Sequence, residues 1–248
     1  MSLTMISIWG SGGSGKTTFS LALATEFARR DLNVVVVNPD TSPPFLPVAL
    51  PHSDFAPQNS LGTLLEAPEI NFDALKGKIH IHPKHDRIGF MGLVSGETPI
   101  TYKSFARDTL THLLRALDNS PFDYVIFDCV ANPVIDQLTL LALETSNYVF
   151  RLATPDIKGA EFVKSQVMWL KNSPNFKLAE QIRVLSPVHD VSPVAEISSI
   201  TGGHEAALPW SHEVMSKTMA GELLQEFKYR QGLEFQRQLE QLAERIMT

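Results

Sequence analysis

The chain has a single cysteine, Cys129, so it can build neither an internal disulfide framework nor a zinc site made of several thiolates. One small thiol fits a reducing compartment, and its expected place is a buried one. No apolar run approaches the roughly 18 to 20 residues that cross a bilayer, and a strand pattern starts at Met5, so neither a membrane span nor a cleaved leader is expected. Basic residues are in the minority: 21 Lys and Arg stand against 27 Asp and Glu, a formal net charge of -6. That balance argues against a dominant nucleic-acid surface, which needs a strong basic footprint. Charged residues make up only 19% and hydrophobic residues 44%, proportions that exclude a disordered chain.

These 248 residues can enclose one sizeable core, and a single domain over 1–248 is the expected organisation, in a cytoplasmic setting. Met5-Ile6-Ser7-Ile8-Trp9 is an apolar run stopped by glycines, and 17–30 then repeats apolar residues at helical spacing. Asn33-Val34-Val35-Val36-Val37-Asn38 lacks polar alternation, as a parallel strand buried on both faces does. Further strands are expected at 78–82, 90–94, 124–128, 148–153, 182–185 and 206–208, and helices at 104–117, 134–144, 160–171 and 231–247. Six prolines between Pro39 and Pro57 exclude a long helix and mark a loop. Strands alternating with helices predict an α/β fold: one doubly wound, mostly parallel sheet with helices on both faces. A C-terminal amphipathic helix is expected over about 222–247, with Phe235, Leu239, Leu242 and Ile246 as its apolar stripe.

The run Gly10-Ser11-Gly12-Gly13-Ser14-Gly15-Lys16-Thr17, between a strand and a helix, carries the full phosphate-loop pattern. Glycines let successive N–H groups point inward at phosphate oxygens, beside the positive end of a helix. Ser11, Gly12, Gly13, Ser14, Gly15, Lys16, Thr17 and Thr18 are therefore the expected nucleotide-binding residues, with Lys16 as the mobile cation and the Thr17 hydroxyl as a Mg²⁺ ligand. The same stretch also spells Gly10-x-Gly12-x-x-Gly15, a dinucleotide fingerprint. Such loops do not need Lys-Thr after the third glycine, and the strand-end acid they use is here Asn38.

Two aspartates complete the constellation. Tyr124-Val125-Ile126-Phe127-Asp128 is an apolar strand ending in a carboxylate, the arrangement that holds Mg²⁺ opposite the loop threonine. Asp40 follows the second strand, where a carboxylate orients the water that attacks a γ-phosphate and also lies within reach of the metal. The plainer reading for both is a turn or capping aspartate.

On these residues the chain resembles the ParA/MinD family of deviant Walker A ATPases, over about 5–221. Ser11-Gly12-Gly13-Ser14-Gly15-Lys16-Thr17-Thr18 resembles the family's Lys-Gly-Gly-x-Gly-Lys-Thr-Thr, and Asn38-Pro39-Asp40 its Asp-x-Asp. Phe127 to Asn132, Ala153-Thr154-Pro155-Asp156 and Leu208-Pro209 resemble further family segments, the last two around the base, which brings Pro209 into the cofactor site. The resemblance implies ATP and Mg²⁺ as cofactors, Lys16 and Asp40 as the catalytic pair, and Thr17, Asp40 and Asp128 around the metal. Ser11 stands where the family's signature lysine reaches the partner's phosphates across a dimer, Asn38 replaces the first acid, and Ser186-Pro187 replaces the asparagine that reads adenine. Such relaxed motifs are similar to the TadZ/CpaE branch.

The expectation is an ATPase that acts as a positioning or partitioning switch, with a homodimer and a further protein as partners. The alternative is a catalytically weak nucleotide-binding scaffold for a pilus, secretion or conjugation apparatus. Three features are set aside. His80, His82 and His85 place two imidazoles on one strand face but no acid completes a metal set with them, and the scattered Lys158, Lys164, Lys171 and Lys177 read as a solvated face rather than a non-specific DNA patch. The terminal helix mixes Glu234, Glu240 and Glu244 with Arg237 and Arg245, so packing on the domain or on a partner is expected rather than direct membrane binding.

Overall fold

A computed structural model describes residues 3–102, 105–133, 135–173, 175–176 and 178–247. Ser104 and Val134, the expected first residues of two helices, and Lys177 lie outside the described residues. The strands are β1 (Thr4–Gly10), β2 (Val34–Asn38), β3 (His80–His82), β4 (His85–Gly92), β5 (Tyr124–Asp128), β6 (Tyr148–Ala153), β7 (Ile182–Val188) and β8 (Ala206–Pro209). They form one sheet in the order β3-β4-β2-β5-β1-β6-β7-β8. Only β3 runs antiparallel to its neighbour; the other pairings are parallel.

Every residue of β2 and β5 is buried, because apolar runs without alternation can be covered from both sides. Side chains still alternate between the faces. Val34 and Val36 enter one cluster with Ile6, Phe27 and Leu239, while Val35 and Val37 enter the other with Val125 and Leu113. The first cluster lies under α1 (Lys16–Arg29) and α10 (Arg230–Met247), and the second under α5 (Arg107–Asp118) and α6 (Gln137–Thr145). Helices therefore cover both faces of the sheet, as expected.

Some boundaries differ from the sequence reading. The strand expected at 90–94 is β4, which begins at His85: its first residues are His85, Asp86 and Arg87, polar positions at the sheet margin that show no apolar pattern. The helix expected from 160 is α7 (Ile157–Leu170), started by Asp156, whose carboxylate accepts the Gly159 N–H at 2.7 Å. Five helices were not foreseen: α2 (Leu46–Ala49), α3 (Leu61–Leu65), α4 (Phe72–Lys76), α8 (Val194–Thr201) and α9 (His212–Met219). None exceeds eight residues, which is too short for a 3.6-residue period to declare itself.

The terminal helix α10 starts at Arg230 rather than near 222, and Leu224 and Phe227 are buried in the segment before it. Its stripe of Phe235, Leu239, Leu242 and Ile246 is buried in the core, and Glu240 and Glu244 reach Arg29 and Arg30 of α1 at 2.8 and 3.5 Å. Gln238 Oε1 accepts the Ala207 N–H at 3.0 Å, so the helix also shields the free edge of β8. No helix among the described residues is long and apolar enough to cross a membrane.

Candidate functional site

The carboxyl ends of seven adjacent strands, β4-β2-β5-β1-β6-β7-β8, line one rim, with β1 at the centre, where the chain order reverses and ligands of open α/β sheets sit. The glycine loop leaves β1 there. Gly10 takes φ 149°, and a Cβ on it would lie 1.8 Å from the Leu152 carbonyl oxygen of β6, so only glycine fits. Gly15 turns the chain into α1 at φ 76° with no side-chain cap, which leaves the first N–H groups of the helix for a ligand. Gly12 and Gly13 form the exposed rim of the loop, and Thr18 lies on its α1 side.

Ser11 points inward. It is 3% exposed, its Oγ accepts the Thr154 N–H at 3.0 Å, and its own N–H donates to the Leu152 carbonyl at 3.1 Å. Its carbonyl accepts from Ser14 Oγ at 2.7 Å and from Lys16 Nζ at 3.3 Å. Ser11 is thus an anchor between the loop and the end of β6, and its side chain is not offered outward as the family's lysine would be. Burial lowers the pKa of Lys16; the carboxylates of Asp128 and Asp40 and the nearby Cys129 oppose that shift.

Asp128 and Thr17 meet as the sequence predicts. Thr17 Oγ1 donates to Asp128 Oδ2 at 2.7 Å, and Asn38 Nδ2 donates to the same oxygen at 2.6 Å. The other oxygen, Oδ1, is buried without a hydrogen-bond partner. Burial pushes the Asp128 carboxyl above its usual range, and Thr17, Asn38 and Lys16 hold it down. An orphaned carboxylate oxygen beside a hydroxyl is a hard oxygen donor set, and it fits Mg²⁺.

Asp40 joins this group through Asn38. Its N–H donates to Asn38 Oδ1 at 2.7 Å, while its own Oδ1 accepts the Ser42 N–H at 2.8 Å. Asp40 is therefore an Asx-turn residue and sits at the mouth of the site at the same time, with no bond to Thr17 or Asp128. On the opposite side of the loop, Thr18, Ser186, Pro209 and Trp210 line a cavity of about 310 Å³ whose wall includes Gly15 and Phe235. Its place beside the loop suits a nucleobase. Among the described residues no group of three or more His, Cys, Asp or Glu side chains is placed to hold a metal, the three histidines included. His80 instead packs edge-on against Phe55, and His82 Nδ1 accepts the Lys84 N–H at 3.1 Å.

Sequence reasoning missed three participants. Asn38 counted as a lost acid, although its amide joins Asp40 to Asp128. Trp210 and the residues of α9 went unnoticed, although Ser211 with its bond to the Val214 N–H marks a helix start directly after Pro209. Asp136 caps α6 through the Thr139 N–H at 2.7 Å and lines a second cavity, of about 430 Å³, together with Asp40.

A strand, a phosphate loop and a helix on a parallel sheet, with Lys16, Thr17 and Asp128 converging, define a P-loop nucleoside-triphosphatase fold. The family model described as AAA domain matches residues 4–172, more than half of the chain, and the chain belongs to that family. A ParA family ATPase from Chlorobium tepidum superposes with a TM-score of 0.75 at 15% identity, over 97% of this chain and 98% of its own. The septum site-determining protein MinD from Pyrococcus horikoshii, in complex with Mg-ADP, does so with 0.74 at 18% identity, over 98% and 96%. An ATP complex of a single-substitution variant of McdA from Cyanothece gives 0.74 at 16% identity, over 99% and 97%. The ParA/MinD fold read from the motifs is thus present over nearly the whole chain. No curated protein sequence matches the chain.

Proposed function

We propose that this protein is an ATP- and Mg²⁺-dependent ATPase whose nucleotide state controls its association with other molecules in the cytoplasm. The observation that carries this reading is the chain Thr17–Asp128–Asn38–Asp40 at the mouth of the phosphate loop, with an unpaired buried oxygen on Asp128. Loop N–H groups and Lys16 would hold the phosphates, and Thr17 with Asp128 would hold the metal, whose chemistry would be to neutralise phosphate charge. Asp40 lies beyond them, where its carboxylate can accept a hydrogen bond from the attacking water. The ATP and Mg-ADP complexes of the structural relatives support these ligands, and the names of those relatives support a role in positioning.

The retained Lys16, Thr17, Asp40 and Asp128 favour turnover over a scaffold role. The test is calorimetry with Mg·ATP together with phosphate release, on wild type and Lys16→Ala. Wild type is expected to bind and hydrolyse, and the variant to lose both, because the loop loses its own cation. Equal ATP affinity in the two proteins would remove the phosphate-loop argument.

A further inference from the structure

The base-side cavity contains few groups able to tell one purine from another. Among the described residues no amide, carboxylate or cationic side chain lines it; its polar side-chain groups are the hydroxyls of Thr18, Ser186, Ser211 and Thr218 and the indole N–H of Trp210, a single donor that either purine can meet through a ring nitrogen. Two of these are half committed: Ser211 Oγ accepts the Val214 N–H at 3.4 Å and keeps only its rotatable O–H, and Thr218 Oγ1 donates to the Val214 carbonyl at 2.8 Å and keeps only acceptor capacity. The Thr18 and Ser186 hydroxyls are free in both roles, and Ser186 Oγ would lie 3.5 Å from a Cβ placed on Gly15, against the loop itself. The backbone at this rim is equally undemanding. Pro187 and Pro209 have no N–H, and the Trp210 N–H already donates to the Val188 carbonyl at 2.7 Å.

Adenine presents an N6 amino donor beside the N1 acceptor, while guanine presents an O6 acceptor beside N1–H and N2 donors. A hydroxyl rotates to donate or accept, so Ser186 serves either base. Free carbonyls accept from the adenine amino group or from the guanine edge alike. Strong rejection of a wrong ligand requires buried polar groups that it would leave unpaired, and apolar walls alone discriminate weakly. Trp210 is 39% exposed and stacks on His189 with ring centroids 5.5 Å apart and planes 24° apart, offering a flat surface that favours the larger ring system of a purine.

We propose that this is a purine-triphosphate site that accepts GTP as well as ATP, and that Ser186 is the residue that leaves it permissive. The inference rests on the phosphate-loop reading above. Mg²⁺ complexes of non-hydrolysable ATP, GTP and UTP analogues are titrated calorimetrically into wild type, Lys16→Ala and Ser186→Asn. In wild type the ATP and GTP analogues are expected to differ by less than about 30-fold in Kd, with UTP weaker than both. Ser186→Asn, which adds a carbonyl and an NH₂ at fixed spacing, is expected to widen the purine ratio by at least about tenfold.

A wild-type preference above about 30-fold overturns the proposal. An unchanged ratio in a folded Ser186→Asn protein overturns the assignment to Ser186; if that variant does not fold, the wild-type ratio decides alone. Failure of the phosphate-loop reading looks different: no analogue binds wild type, or Lys16→Ala binds them all as well as wild type does.

Discussion

Asn38 Nδ2 donates a 2.6 Å hydrogen bond to Asp128 Oδ2 across the β2–β5 boundary, from a residue 90 positions away in the chain. A neutral amide here does what an acid could not do without metal: it stabilises the buried carboxylate while its own oxygen holds the Asp40 N–H. Replacing it by an acid would set two carboxylates against each other. Asn38→Ala is expected to lower stability by about 1.5 to 3 kcal/mol, the range for a hydrogen bond to a charged group. Asn38→Asp is expected to lower Tm without Mg²⁺ and to recover when Mg²⁺ is added, more than wild type does. Melting curves with and without the metal check both, and a metal-independent Asn38→Asp melt would count against the metal assignment.

Asp40 contributes no hydrogen bond to Thr17 or Asp128, so removing its carboxylate leaves their contact standing. Asp40→Ala is expected to change ATP affinity by less than about threefold while reducing kcat at least about tenfold, since the assigned contact is made mainly in the transition state. Single-turnover phosphate release beside calorimetry separates the two quantities. Unchanged turnover would reduce Asp40 to its Asx turn.

Ser11 joins the glycine loop to the β6 end through the Thr154 N–H. Ser11→Ala deletes that acceptor and is expected to cost about 1 kcal/mol, or about 2 to 4 °C in Tm for a chain of this size. Ser11→Lys is expected to cost more, because a long cation must leave the buried position. With no cation directed outward from this loop position, dimer mass measured by light scattering is expected to differ little between ADP and ATP. A strongly ATP-dependent dimer would mean that another side chain supplies the contact.

Glu205 and Arg183 tie the ends of β7 and β8 together, with Arg183 Nη2 at 2.7 Å from Glu205 Oε1 and the Arg183 backbone N–H at 2.7 Å from Oε2. Burial pushes the Glu205 carboxyl up, but the hydrogen bonds and charge of Arg183 outweigh it and hold the group below 4.5. A carboxyl depressed in the folded state contributes stability above its unfolded pKa, and loses it as pH falls through the folded value. Glu205→Gln is expected to melt below wild type at pH 7, with the difference shrinking at pH values under 4.5. The pair is partly exposed, so the effect is expected to stay near 1 kcal/mol. A difference that grows on acidification would reverse the sign argument.

The features legible in the sequence were those whose physics is local. Gly10 to Thr17 is one unbroken stretch whose backbone and helix start produce the anion cradle together, and β2 and β5 declare their burial in uninterrupted apolar runs. Asp128 was readable for the same reason, as the polar end of such a run. Tertiary structure alone decided what the remaining side chains do. Asn38 faces Asp128 only because parallel pairing sets β2 beside β5, and Ser11 turns inward only because β6, which carries the chain on to Thr154, lies on the other side of β1. The wall of the cavity beside the loop assembles residues of α1, β7, β8, α9 and α10, and no spacing along a chain encodes a contact among five elements. A hydrogen bond depends on distance in space, and in a doubly wound sheet the order of strands, rather than the order of residues, sets that distance.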